Sequence, residues 1–249
     1  MATWIVGDVH GMYDVFQDLL KKPEIKEEDR IILVGDIIDR GPDSYKMLKW
    51  AMENITPDGK FQMILGNHED NIIQDYHENI DGRYSYTEES SISVLKCHYG
   101  FHEYMKDQGF EKVGSIKPFV EWFETLPLYK KIMVTDSNGN EQKYVIAHAW
   151  YTPKEEERDT FLWYRDISDE RTSKTNSLFL NDYKSLDGET LIHGHTPIFK
   201  ENGYPESAVV HFRKHSINID CGACFADFGG RLAAIRLEDQ KVIYAKGVY

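Results

Sequence analysis

The chain has 249 residues, 41% of them hydrophobic, enough for one large domain with a full core and no requirement for a second. Its 42 acidic residues against 29 basic leave a formal charge of -13, the wrong sign for non-specific binding to a phosphate backbone or an anionic membrane, so extended nucleic acid is not an expected partner. No apolar run approaches the roughly 20 residues that span a bilayer, the opening Thr3-Trp4-Ile5-Val6 lacks the regions of a signal peptide, and three cysteines make no disulfide framework; a cytoplasmic protein without membrane contact is expected.

Short apolar runs that empty into polar turns recur along the chain. They are Ile5-Val6 before Gly7, Arg30 to Val34 before Gly35, Phe61 to Leu65 before Gly66, Tyr144 to Ala147 before His148, Thr190 to Ile192 before His193, and Ser216 to Ile219 before Asp220. Each reads as a buried strand ending in a loop. Tyr13 to Leu20 and Ser44 to Met52 carry apolar residues three and four apart and read as amphipathic helices. The βαβ order implies an α/β protein with a largely parallel sheet, whose ligands bind beyond the carboxyl ends of the strands. Residues 71–128 and 151–189, polar and irregular, read as insertions packed over the sheet of a single 1–249 catalytic domain. The cluster Tyr84, Tyr86, Tyr99, Phe101, Tyr104 reads as insertion core, part of which could wall a cleft. Gly230 to Val248 alternates apolar and polar residues and is expected to form antiparallel strands that close a second sheet.

The chemistry-bearing residues fall at the strand ends. Asp8 and His10, two apart after the first strand, project to the same side and can grip one cation. The second strand delivers Asp36, then Asp39 and Arg40; the third delivers Asn67, His68 and Glu69; later strands deliver His148 and His195. Carboxylates, an amide oxygen and several imidazoles at one sheet edge form a mixed N/O set suited to Mn, Fe or Zn rather than Mg or Ca. One cation does not need so many donors, whereas two bridged by a carboxylate about 3.5–4 Å apart do. Cys221-Gly-Ala-Cys224 reads as buried small residues after a strand rather than a redox or zinc pair, and Glu155-Glu156-Glu157 as a solvated face.

Gly-Asp-x-His-Gly at 7–11, Gly-Asp-x-x-Asp-Arg-Gly at 35–41 and Gly-Asn-His-Glu at 66–69 resemble the signature of the PPP-type phosphoprotein phosphatases, within the calcineurin-like metallophosphoesterases. Ala147-His148-Ala149, Trp163-Tyr164-Arg165, Gly194-His195-Thr196-Pro197 and Ile219-Asp220-Cys221-Gly222 extend the resemblance to residue 222. It covers the compact bacterial and phage serine/threonine phosphatases and the symmetrical diadenosine tetraphosphatases. The resemblance implies a four-layer αββα fold, two mixed β-sheets flanked by helices. It also implies two divalent metal ions, Mn first and Fe or Zn next. Asp8, His10 and Asp36 would hold one, and Asp36 would bridge to a second held by Asn67, His148 and His195. His68 would be the general acid, oriented by Asp39, and Arg40 and Arg165 would clamp the phosphoryl group beside Asn67. For Arg165 a surface ion pair is the plain alternative.

The expected reaction is attack of a metal-bridging hydroxide on phosphorus while His68 protonates the leaving oxygen, with no covalent phosphoenzyme. The expected substrate is a phosphorylated protein carrying phosphoserine or phosphothreonine, with phosphotyrosine as an extension. Small phosphoesters stay open, with dinucleoside polyphosphate as the alternative. Relatives acting on the latter often alter the Asp-Arg-Gly or the Glu after Asn-His, and this chain alters neither. A catalytically dead scaffold is disfavoured because every expected ligand is present. His193, one glycine from His195, is expected to play a structural role.

Overall fold

The computed structural model describes residues 1–80, 87–95, 101–153, 157–164, 183–185, 187–198 and 208–246. Arg165, Cys97, Tyr84, Tyr86 and Tyr99 and the first two glutamates of the 155–157 run lie outside them.

Among the described residues, strands β1 (Thr3–Val6), β2 (Arg30–Leu33), β3 (Phe61–Met63), β9 (Leu232–Arg236) and β10 (Val242–Ala245) form one sheet in the order β10-β9-β1-β2-β3. Strands β4 (Tyr129–Thr135), β5 (Glu141–Ala147), β6 (Thr190–His193), β7 (His211–Phe212) and β8 (Ser216–Asn218) form the other, in the order β4-β5-β6-β8-β7. The inner strands β1, β2 and β3, and likewise β5, β6 and β8, run parallel; β9, β10, β4 and β7 pair antiparallel at the edges. Both sheets are therefore mixed.

Period-two alternation sorts their side chains into two cores. Ile5, Ile32, Ala233 and Ile235 from the first sheet meet Tyr144, Ile146, Ile192 and Ile217 from the second. Trp4, Val6, Ile31, Leu33, Val145 and Leu191, on the alternate positions, belong to the other core. The flanking helices supply the rest of it: Val15, Phe16 and Leu19 of α1 (Tyr13–Leu20), Met47, Leu48 and Ala51 of α2 (Ser44–Asn54), and Phe161 and Leu162 of α6 (Arg158–Trp163). This is the α/β fold expected, two mixed sheets flanked by helices. α1 occupies the expected span and α2 runs two residues further, to Asn54.

One expectation is corrected. The C-terminal hairpin does not close the second sheet: β9 pairs with β1, setting Trp4 opposite Arg236 and Val6 opposite Ala234. Alternation tells which side chains face a core but not which open sheet edge receives the strand. The second sheet is instead completed by β4, whose hairpin to β5 turns through Asp136 to Asn140. The segment 71–128 opens inside α3 (Asn67–Ile80), which starts within the third motif. It continues through α4 (Phe101–Asp107) and α5 (Lys117–Phe123), burying Phe101, Met105, Phe119, Val120 and Phe123 in the helix-side core. Phe101 is thus core, as expected of its cluster. No described helix is long and apolar enough to cross a membrane.

One buried carboxylate fastens the start of the first sheet. Asp29 accepts hydrogen bonds from Ala2 N at 2.7 Å, Lys26 N at 2.9 Å and Trp4 Nε1 at 3.1 Å. Burial works against its charge, yet the three donors outweigh burial and hold the carboxyl below the ordinary value of 3.8. Asp29→Ala is expected to cost about 3 kcal/mol by stranding buried donors. Urea unfolding should show a lower midpoint at unchanged slope. With a depressed folded-state pKa, the contribution of Asp29 is present above pH 3.8 and is lost as pH falls through the folded-state value.

Candidate active site

The loops after β1, β2, β3, β5, β6 and β8 converge on one edge of the paired sheets. Among the described non-glycine residues only six have positive φ, and five of them are His10, Asp36, Asp39, Arg40 and His195. Left-handed backbone costs a non-glycine residue of order 1–3 kcal/mol and persists where surrounding structure imposes it, most often at functional sites. The imposition is visible at two glycines. A Cβ on Gly66 would come within 2.4 Å of Asp36 Oδ1, and one on Gly194 within 2.0 Å of Asp8 Oδ1, so any side chain there would displace a site carboxylate.

Asp36 is the centre. Its Oδ2 lies 3.4 Å from His148 Nε2, 3.6 Å from His10 Nε2 and 3.8 Å from His68 Nε2, and its Oδ1 accepts from His68 N at 3.0 Å. Burial opposes its charge, but His148, His68 and His10 override burial and hold the carboxyl well below its usual range. His10 donates Nδ1–H to Ile38 O at 2.9 Å, which fixes the tautomer and turns the Nε2 lone pair inward, toward an Arg40 guanidinium nitrogen at 2.8 Å. Burial, then Arg40, keep that imidazole neutral. His148 donates Nδ1–H to Val34 O at 2.8 Å and directs Nε2 at Asn67 Oδ1, 2.9 Å away; His195 Nδ1 reaches the same oxygen at 2.8 Å. Burial resists charge on His148, but Asp36 raises its pKa to about 9.

His68 Nδ1 meets Asp39 Oδ2 at 2.6 Å, and its Nε2 faces Arg40 at 3.1 Å. Each sequence-predicted site residue that is described is thereby buried or half-buried at this one edge, while Arg165 lies outside the described residues. The donors fall into two sets around Asp36: His10, Asp36 and His68, and Asp36, His148 and His195. Asp8, buried at the same edge, accepts from His195 N through Oδ2 at 3.0 Å and keeps Oδ1 facing the site without a partner among the described residues.

A divalent pair fits this donor set on the structure's own terms. Asp8 Oδ1, Asp39 Oδ1 and Asp220 Oδ2 are buried without a hydrogen-bond partner among the described residues, and buried polar atoms left so are rare and costly. Imidazole nitrogens, carboxylates and an amide oxygen together suit Mn, Fe or Zn.

Glu69, Asp220 and Trp163 stand in the sequence motifs without an assigned role, and folding gives each a place at the site. Glu69 is fully buried, and its carboxylate accepts from Asp36 N at 2.8 Å, Ile37 N at 2.9 Å and Gly66 N at 3.2 Å, so it staples the second and third motif loops together. Burial, then Asp36, raises its pKa to about 7. Asp220 is buried beside Asp8. Trp163, 36% exposed at the end of α6, sets its ring 6.2 Å from that of His195. Arg158, at the start of α6, donates through Nε to buried Asp70 of α3 at 3.2 Å and so ties the tryptophan-bearing helix to the helix of Asn67 and His68. Phe225 lies 5.8 Å from the Arg40 guanidinium, and burial, then Asp39, pushes up the hydroxyl of half-buried Tyr104.

Cys221 and Cys224, the two described cysteines, are not activated as nucleophiles. Burial pushes the Cys224 thiol up to about 12 and Cys221 higher still, so both stay protonated. His193 is buried against Trp150, and burial lowers its pKa to about 4.

The family model for calcineurin-like phosphoesterases matches residues 1–221, most of the chain. The chain belongs to that family. It is a metallophosphoesterase, a hydrolase of a family that uses divalent metals. A protein of Oceanobacillus iheyensis named bis(5'-nucleosyl)-tetraphosphatase PrpE [asymmetrical] is 28% identical over 98% of this chain and 91% of its own length. Among solved structures, a putative diadenosine tetraphosphatase superposes with a TM-score of 0.61 at 18% identity, covering 99% of this chain and 94% of that one. A Saccharomyces cerevisiae serine/threonine phosphatase superposes with a TM-score of 0.58 at 16% identity, covering 100% and 81%. Both structures share the fold with this metallophosphoesterase.

Proposed function

We propose that this chain hydrolyses dinucleoside polyphosphates with two divalent cations centred on Asp36. The observation that carries the choice of substrate is Trp163, an exposed indole set edge-on to His195. A nucleobase stacks on such a ring with about 1–3 kcal/mol. The full-length similarity to a protein named as a bis(5'-nucleosyl)-tetraphosphatase supports the same reading. The sequence-level preference for a phosphoprotein rested on intact Asp39, Arg40 and Glu69. In the structure Glu69 is buried against backbone amides and Asp39 against His68, so two of the three act inside the site and meet no substrate.

In this reading Asp8, His10 and Asp36 hold one cation, and Asp36, Asn67, His148 and His195 the other. Bound cations supply an acidified water and positive charge facing the phosphoryl oxygens. His68, its Nδ1 pinned by Asp39, presents Nε2 and gives a proton to the leaving oxygen. Arg40 offers a planar fork to phosphoryl oxygens and is steadied on Phe225, with Arg165 proposed as its partner.

With Mn²⁺ present, the purified protein is expected to turn over diadenosine tetraphosphate with a higher kcat/KM than a phosphoserine peptide. The reverse order would make it a phosphoprotein phosphatase. Trp163→Ala should raise KM for the dinucleotide about tenfold at unchanged kcat. An unchanged KM would remove the stacking role.

A further inference from the structure

Asp220 is unexplained by the ligand set above. It follows β8 and is held from several sides: its own N–H is bonded by Asn218 Oδ1 at 2.9 Å, its carbonyl by Ile198 N at 3.0 Å, and its Oδ1 accepts from Gly222 N at 2.9 Å. Only 1% of it is exposed, yet Oδ2 has no partner. The loop is pressed onto the one that carries Asp8: a Cβ on Gly7 would lie 2.4 Å from Ile219 O and 3.7 Å from Asp220 Cα. Asp8 is itself buried with an unpartnered Oδ1. After burial, Asp220 is the strongest influence raising Asp8, and Asp220 also feels Arg40, Asp36 and His148. Two buried carboxylates side by side, each with one satisfied and one unsatisfied oxygen, are unstable neighbours unless positive charge lies between them. Among the described residues no cationic side chain bonds to either of those two oxygens.

We infer that Asp220 is a seventh metal-binding side chain, supplying its Oδ2 to the cation held by Asp8 and His10. This rests on the two-cation reading above. It gives the first cation a third carboxylate after Asp8 and Asp36, and it explains why the chain fixes the Asp220 backbone so fully while leaving one oxygen unpaired.

Asp220→Asn separates this role from a structural one. Asparagine keeps the acceptor for Gly222 N–H and can turn its amide toward Asp8 Oδ1, so the metal-free variant should melt at or above the native temperature. Calorimetric titration of Mn²⁺ into metal-free protein should show two ions per native chain, with the variant binding one of them at least about tenfold more weakly. The rise in melting temperature on adding Mn²⁺ should shrink correspondingly. Native affinity at both sites in the variant would overturn the inference, as would equal loss of stability with and without metal. Asp220→Ser, which also leaves an acceptor for Gly222, provides the same comparison if the asparagine variant does not fold; failure of both to fold would show a purely structural role. If the native chain itself binds fewer than two ions, the two-cation reading fails with it; if it binds two and the variants match, only this inference fails.

Discussion

Asp36→Asn is expected to reduce kcat by about 10³-fold or more. The side chain keeps its size and can still accept from His68 N, but the charge at the centre of the site is gone. Asp36 Oδ2 is the atom around which His10, His68 and His148 are disposed at 3.4–3.8 Å, so no neighbouring carboxylate can substitute for it. Losing charge stabilisation worth several kcal/mol at 1.36 kcal/mol per tenfold gives that magnitude. The variant should also bind fewer cations than the native chain. Near-native kcat would show that chemistry does not depend on the Asp36 centre.

His68→Asn separates proton donation from metal binding. Its expected effect is a loss of about 10²–10⁴ in kcat, the range of a lost general acid, with cation stoichiometry unchanged. The loss should be small for p-nitrophenyl phosphate, whose leaving phenolate needs little protonation, and large for an alkyl phosphate. Asp39→Asn should follow the same pattern more weakly, because Asp39 acts by holding His68 Nδ1 at 2.6 Å. His68 also stands in the set with His10 and Asp36, so a fall in bound metal with uniform loss on both substrates would make it a ligand instead of the acid.

The parts of the fold written in period two or in helical spacing were legible in the sequence. Tyr13–Leu20 occupies its expected span because Val15, Phe16 and Leu19 mark one buried face. β4 was not legible: Lys130 and Lys131 at a sheet edge dilute its alternation, although the Asn138-Gly139 turn before β5 is a hairpin signal. The edge chosen by β9 depends on which strand lies open, a tertiary fact that alternation does not contain.

Within the site, ligand-type residues were legible because their chemistry lies in their side chains. Glu69 was recognised only as part of a motif, since its function is to accept three backbone N–H groups from loops brought together by folding. Asp220 was likewise seen as a motif residue. Its unpaired oxygen becomes visible only when β8 is placed beside the loop after β1. Trp163 was seen only as part of the Trp163-Tyr164-Arg165 motif, and its meaning comes from the neighbouring His195 ring.

Anomalous diffraction from crystals soaked in Mn²⁺ tests the central claim most directly. The account predicts two manganese peaks about 3.5–4 Å apart, bridged by Asp36, one beside His10 and the other beside His148 and His195. A single peak, or a pair that Asp36 does not bridge, would contradict it.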